Sequence, residues 1–166
     1  MTRPALRITR RQFVKSSATI AAATAIPKWY IEEAHSLAAP AQPLSANDRP
    51  NIGLIGCGGM GRADASLASK FGTIAALCDV DETRLAAAKT AYPKASTYRD
   101  FRKLLERDDI HVIICATVDH WHVLVSIAAM RSGKDVYCEK PLTLTIDEGK
   151  HLIAVAKETK RILQTG

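Results

Sequence analysis

The chain has 166 residues, of which 47% are apolar and 24% charged. That composition excludes a disordered or fibrous chain and gives length enough for one ordinary globular domain. The formal net charge of +6 invites a nucleic-acid partner, but the excess is local. Residues 1–26 carry Arg3, Arg7, Arg10, Arg11 and Lys15 with no acid, whereas residues 51–166 hold 16 basic and 14 acidic side chains, a surplus of only 2. No basic stripe with interleaved aromatics runs through the body, so nucleic acid is not an expected partner.

The N-terminal segment reads as an address. Thr9-Arg-Arg-Gln-Phe-Val-Lys15 leads into the apolar run Ser16–Ile26, a basic region followed by a bland hydrophobic stretch. That layout is an export signal, and the run is too short to span a bilayer, which needs about 20 apolar residues. Arg10 and Arg11, with Phe13 and Lys15 close behind, resemble a twin-arginine signal, which a receptor reads. The expected partner is therefore the twin-arginine export machinery, and the expected location is periplasmic or otherwise extracytoplasmic. A basic tail without this role is the plainer alternative. Cleavage candidates fall near Ala38 to Ala41, and Pro40, Pro43 and Pro50 suggest a linker. Residues 1–45 are accordingly signal and linker, and residues 50–166 are the domain.

From Asn51 onward short apolar runs alternate with segments of helical period. Ile52–Ile55, Ile74–Cys78, Val112–Cys115, Val136–Cys138 and Ile162–Gln164 have the pattern of buried strands, and a weaker one lies near Ala95–Tyr98. Between them Arg62–Phe71, Glu82–Ala91, Phe101–Arg107, Val123–Arg131 and Ile146–Thr159 have the pattern of helices. The alternation predicts an α/β fold, a doubly wound parallel sheet of about six strands with right-handed crossovers and the order 3-2-1-4-5-6.

Gly53-Leu-Ile-Gly-Cys-Gly-Gly-Met-Gly61 places five glycines in nine residues at the first strand-to-helix junction. Gly56-Cys-Gly58-Gly59-Met60-Gly61 fits G-x-G-x-x-G. Gly56 would permit a sharp turn, Gly58 a close approach of a pyrophosphate, and Gly61 tight packing of helix on strand. A helix N-terminus there supplies free N–H groups for phosphate. Asp79, 23 residues after Gly56, closes the second strand, where a carboxylate can accept from ribose hydroxyls and repel a 2′-phosphate. The acid in this context makes the pattern a dinucleotide site, with NAD favoured over NADP because no arginine directly follows Asp79. Asp81 reads as the cap of the next helix.

The later strand ends carry Ala116-Thr-Val-Asp-His-Trp-His122 and Cys138-Glu-Lys-Pro141. With the glycine loop, these segments resemble the Gfo/Idh/MocA family of oxidoreductases, over residues 50–166. Glu139-Lys140-Pro141 is its most telling motif; Thr117–His122 is similar to a T-P-D-H-W-H loop of exported members, with Val118 in the place of proline. The resemblance implies a Rossmann domain that binds a nicotinamide dinucleotide. It also implies hydride transfer to or from a secondary alcohol of a sugar or cyclitol. It makes Lys140 and His122 the catalytic candidates, Lys140 as acid/base or orienting cation. Glu139, Ala116, Thr117 and His120 join Gly56, Gly58, Gly59, Met60, Gly61, Asp79 and Lys140 as cofactor-binding candidates. A surface cation paired with Glu139 is the plainer reading of Lys140, and a structural histidine that of His120 or His122.

His120 and His122 lack a convincing third and fourth ligand, so no metal is expected. Asp119 suggests a cap for a helix near Trp121. Cys57, Cys78, Cys115 and Cys138 fall at or just past four strand ends without C-x-x-C spacing, which favours packing over a metal or disulfide cluster.

Family members continue into a substrate domain, which also forms their interfaces. The chain ending at Gly166 is therefore expected to be a truncated member. It would keep NAD binding but show little turnover, meet a sugar-like substrate only with a second domain, and have a homo-oligomer among its conceivable states. The alternatives are a non-catalytic nucleotide-binding module and another Rossmann user such as a methyltransferase. The Glu139-Lys140-Pro141 triplet speaks against the last.

Overall fold

The computed structural model describes residues 49–166; the signal and linker expected over residues 1–45 lie outside the described residues. The elements in chain order are β1 (Asn51–Ile55), α1 (Gly59–Ala68), β2 (Thr73–Cys78), α2 (Glu82–Ala91), β3 (Ser96–Tyr98), α3 (Phe101–Leu105), β4 (Val112–Cys115), a 3₁₀ turn (Asp119–Trp121), α4 (His122–Arg131), β5 (Asp135–Cys138), α5 (Ile146–Thr159) and β6 (Leu163–Thr165). The strands form one sheet in the order β3-β2-β1-β4-β5-β6, every pair parallel. This is the doubly wound architecture the alternating pattern predicts. Among the described residues no helix is long and apolar enough to cross a membrane.

The strands are apolar without interruption because helices cover both of their faces. Side chains of a strand alternate between faces, and the core divides accordingly. Ile55, Ala76, Cys78, Ile113 and Cys115 pack with Leu104, Val125, Met130 and Leu152 from α3, α4 and α5. Ile52, Leu54, Ile74, Leu77 and Ile114 pack with Ala65, Leu85 and Ala88 from α1 and α2. Leu54, Leu77 and Ile113 are fully buried, each worth about 1.5–3 kcal/mol relative to exposure. At the strand N-termini the buried Lys134 ammonium donates to the Arg107 and Ile110 carbonyls at 2.7 and 3.2 Å, and burial pushes its pKa down.

The small departures from the sequence reading have local causes. Helix α1 opens at Gly59 rather than Arg62, since the glycine loop itself forms the first turn. Asp81 caps α2 as expected, accepting from the Thr83 and Arg84 N–H groups at 2.8 and 3.2 Å. Asp119 does not cap: it is the first residue of the 3₁₀ turn, and neither that turn nor α4 has a side-chain cap.

Candidate functional site

Parallel pairing delivers the turns after β1, β2, β4 and β5 to one edge of the sheet. At the first turn Gly56 has φ +95°, in the left-handed region that glycine alone adopts freely. A Cβ at Gly56 would also run into the Ala116 carbonyl, so the turn after β1 lies against the segment after β4. The arrangement is pinned by Gly56 N–H to the Cys78 carbonyl at 2.8 Å and Ala116 N–H to the Ile55 carbonyl at 2.9 Å.

Gly58 is needed for a different reason. It occupies the N-cap position of α1 in extended backbone, with φ −68° and ψ −169°. A Cβ there would meet only one atom within reach, Arg84 Nη1 at 3.8 Å, so the missing side chain opens a face of the backbone instead of avoiding a clash. Helices α2, α3 and α5 are capped by the side chains of Asp81, Asp100 and Thr145. Helix α1 has no side-chain cap and no acid in its first turn, so its first N–H groups and partial positive charge remain available to an anion. Gly59 and Met60 are the first two residues of that turn. Gly61 is buried, and a Cβ on it would strike the Gly56 carbonyl. Gly61 packs the helix onto the turn, the part its place in the glycine pattern implies.

Asp79 stands beside this helix terminus with its carboxylate already fixed. Oδ2 accepts from the Cys57 N–H at 2.7 Å and Oδ1 from the Asp81 N–H at 2.9 Å. Each oxygen keeps further accepting capacity, so the carboxylate is oriented without being used up. It lines a cavity of about 410 Å³ together with Gly56, Gly58, Ala116 and Thr117. Val80, Val118, Phe101 and Trp121 form the apolar wall of the same cavity. Trp121 meets Phe101 edge-on, with centroids 6.2 Å apart and planes at 70°, and presents a partly exposed ring.

Three arginines that sequence reasoning missed, Arg84, Arg99 and Arg102, also line the cavity. Each is tied to an acid: Arg84 to Asp81 at 3.4 Å, Arg99 to Glu82 at 2.8 Å and Arg102 to Asp100 at 2.8 Å. Exposed pairs of this kind add little stability, about 0–1 kcal/mol, so their consequence is the charge they hold at the site. No motif announces them. The one available signal was the predicted strand order, which puts the residues after β3 next to the end of β2.

The second group of candidates lies outside that cavity. Lys140 is exposed at the end of β5 and takes part in no ion pair among the described residues. The plainer pairing with Glu139 is not formed; Glu139 Oε2 accepts the Lys140 backbone N–H at 3.2 Å. Glu139 itself is only 8% exposed. His120 is exposed and does not line the cavity, though its ring centroid lies 6.4 Å from that of Trp121, which does.

His122 lies deeper than the other candidates. Its ring is fully buried, with Nδ1 2.7 Å from the Pro141 carbonyl and Nε2 3.1 Å from the Thr117 carbonyl. Both nitrogens are engaged by main chain, which leaves none to exchange a proton with a substrate. The resemblance makes His122 a catalytic candidate; in the structure its ring is buried between two main-chain carbonyls.

The four cysteines are buried and unpaired. Burial pushes the thiols of Cys57 and Cys78 up to about 12, which keeps them protonated and inert. Cys115 and Cys138 face each other as register partners of β4 and β5. Among the described residues no three His, Cys, Asp or Glu side chains gather as metal ligands do.

Asp64 on α1 has a buried Oδ2 without a hydrogen-bond partner. Burial, and then the neighbouring Glu139, hold its carboxyl above the usual value of 3.8. The folded state therefore binds this proton more tightly than the unfolded chain does. The resulting stability is fully present below 3.8 and is lost as pH rises through the folded-state value. Asp64→Asn is expected to raise the thermal midpoint at pH 7, with the gap to the parent chain closing under acid conditions. Unfolding scans across pH measure it, and a constant gap would contradict the burial of a charged Asp64.

The edge thus offers bare amides at a helix terminus, an oriented carboxylate beside them, and an apolar, partly aromatic wall beyond. Those are the three requirements of a dinucleotide: diphosphate, ribose and base. Residues 50–166 match the model of an oxidoreductase family described as having an NAD-binding Rossmann fold, Gfo/Idh/MocA. The chain belongs to the Gfo/Idh/MocA family. Among relatives, it is 34% identical over 131 residues to a glycosyl hydrolase family 109 protein of Solibacter usitatus, covering 69% of this chain and 29% of that one. It is 33% identical over 118 residues to levoglucosan dehydrogenase of Pseudarthrobacter phenanthrenivorans, covering 65% and 30%. The crystal structure of myo-inositol 2-dehydrogenase from Lactobacillus plantarum superposes with a TM-score of 0.65 at 29% identity, covering 71% of this chain and 36% of that one. The chain therefore spans about a third of the length of these relatives, and the family match concerns the nucleotide-binding part.

Proposed function

We propose that this chain provides the NAD-binding part of an oxidoreductase acting on a secondary alcohol of a sugar or cyclitol. The observation that carries the reading is the uncapped α1 terminus at Gly58 beside the oriented Asp79 carboxylate. The α1 amides hold the diphosphate, Asp79 accepts from the adenosine ribose, and the Trp121 and Val118 wall receives the base. Asp79 also favours NAD over NADP, because its carboxylate repels a 2′-phosphate while Arg84, Arg99 and Arg102 remain tied to their own acids. Bound NAD supplies a hydride acceptor at the nicotinamide. Lys140, exposed and free of an ion pair among the described residues, is suited to hold and orient the reacting hydroxyl as a cation. Relatives named levoglucosan dehydrogenase and myo-inositol 2-dehydrogenase favour polyhydroxylated cyclic substrates.

Titration with NAD⁺ and NADH, read by NADH fluorescence, tests the binding half, and a folded chain that binds neither refutes it. A panel of sugars and inositols tests turnover through accumulation of NADH. The glycosyl hydrolase family 109 relatives favour a second reading, in which glycoside cleavage proceeds with no net change in NAD. Release of an aglycone without NADH accumulation would select that reading. Export by the twin-arginine route rests on Arg10, Arg11, Phe13 and Lys15. It is tested by cell fractionation of Arg10→Lys/Arg11→Lys, which should retain the chain in the cytoplasm.

A further inference from the structure

Beyond Cys115 and Cys138 the pairing of β4 with β5 gives out. Its last backbone bond runs from the Glu139 N–H to the Cys115 carbonyl at 2.9 Å. The next tie between the two departing segments is the His122 ring, from the Thr117 carbonyl on one side to the Pro141 carbonyl on the other. A carbonyl oxygen only accepts and a neutral imidazole carries one N–H, so the ring donates to one of the two carbonyls and packs against the other, the tautomer setting which. Lys140 is the residue between the two ties. Glu139 before it is held by the strand ladder, Pro141 after it by His122, and its own N–H by the Glu139 carboxylate. The exposed side chain thus stands on backbone fixed at three successive residues.

We infer that His122 is a positioning residue: its ring joins Thr117 to Pro141 and so sets where Lys140 stands relative to the nicotinamide half of the cofactor. The inference rests on the dinucleotide reading above and extends it to a residue that touches neither cofactor nor substrate. Its 0% exposure and its two main-chain partners exclude direct chemistry. Removing the ring strands the carbonyl it donates to, takes away the packing against the other, and frees the segment that carries Lys140.

The test compares His122→Phe, which keeps a ring without donors, with His122→Gln, which keeps one amide donor, and with Lys140→Ala. Each is titrated in the full chain with NADH and with ADP, which has the adenosine and diphosphate but no nicotinamide. In His122→Phe, NADH affinity is expected to fall about tenfold and ADP affinity less than about twofold, with partial recovery in His122→Gln. His122→Phe/Lys140→Ala should bind NADH no more weakly than Lys140→Ala alone, since the histidine acts through the lysine. Equal losses for NADH and ADP, or additive losses in the double variant, overturn the inference. If the variants do not fold, the parent chain still decides it: ¹⁵N-correlated spectra should show the His122 ring signals shifting with NADH and not with ADP. Ring signals that ignore NADH overturn it. A parent chain that binds no NADH instead defeats the dinucleotide reading, before any histidine variant is compared.

Discussion

Gly58→Asp is expected to lower NADH affinity by roughly 100-fold while leaving the thermal midpoint unchanged or slightly higher. The two effects have one cause. Gly58 already has N-cap backbone angles, and a Cβ there meets nothing closer than Arg84 Nη1 at 3.8 Å. An aspartate therefore fits, and its carboxylate accepts from the first-turn N–H groups that no side chain now caps. Replacing glycine by aspartate at an N-cap is worth a few tenths of a kcal/mol. The same carboxylate occupies and repels the place of the diphosphate. Fluorescence titration and thermal unfolding measure the two halves of the claim. Normal NADH binding by the Gly58→Asp variant would move the diphosphate away from this helix. Gly56→Ala should fail differently, losing stability as well, because positive φ and the Ala116 carbonyl both oppose its methyl group.

Asp79→Ala is expected to weaken NADH by roughly 10- to 100-fold and to leave NADPH unchanged or tighter. The first effect is loss of a charged acceptor at the ribose. The second follows from Arg84, Arg99 and Arg102, which line the same cavity and can receive a 2′-phosphate once the carboxylate is gone. The Cys57 and Asp81 N–H groups lose their acceptor as well, so stability should fall by about 1–3 kcal/mol. The ratio of NADH to NADPH dissociation constants is the measurement. An unchanged ratio removes Asp79 from the ribose.

Sequence adjacency left part of the charge around the cavity unseen. NAD is favoured in the sequence reading because no arginine follows Asp79, yet three guanidiniums reach the cavity, from α2, from the turn after β3 and from α3. The case for NAD therefore rests on the carboxylate and on the acids that hold those arginines. His122 is a second placement that adjacency does not reveal. Its place in Thr117–His122 marks it as a candidate catalyst, but sequence carries no record of which carbonyls meet a ring at the start of a buried helix.

The strand order and the place of the site were legible because both follow from local regularities. Uninterrupted apolar runs specify strands buried on two faces, and the helices between them specify parallel crossovers. A glycine at φ +95° and an acid at the next strand end are dictated within a few residues of themselves. Contacts across 19 or more residues were not legible: Asp79 held by the Cys57 N–H, His122 spanning to Pro141, and Arg84 beside Gly58. Each depends on how far one helix or loop leans over another. That lean is decided by packing of the whole core, which one-dimensional periodicity does not encode.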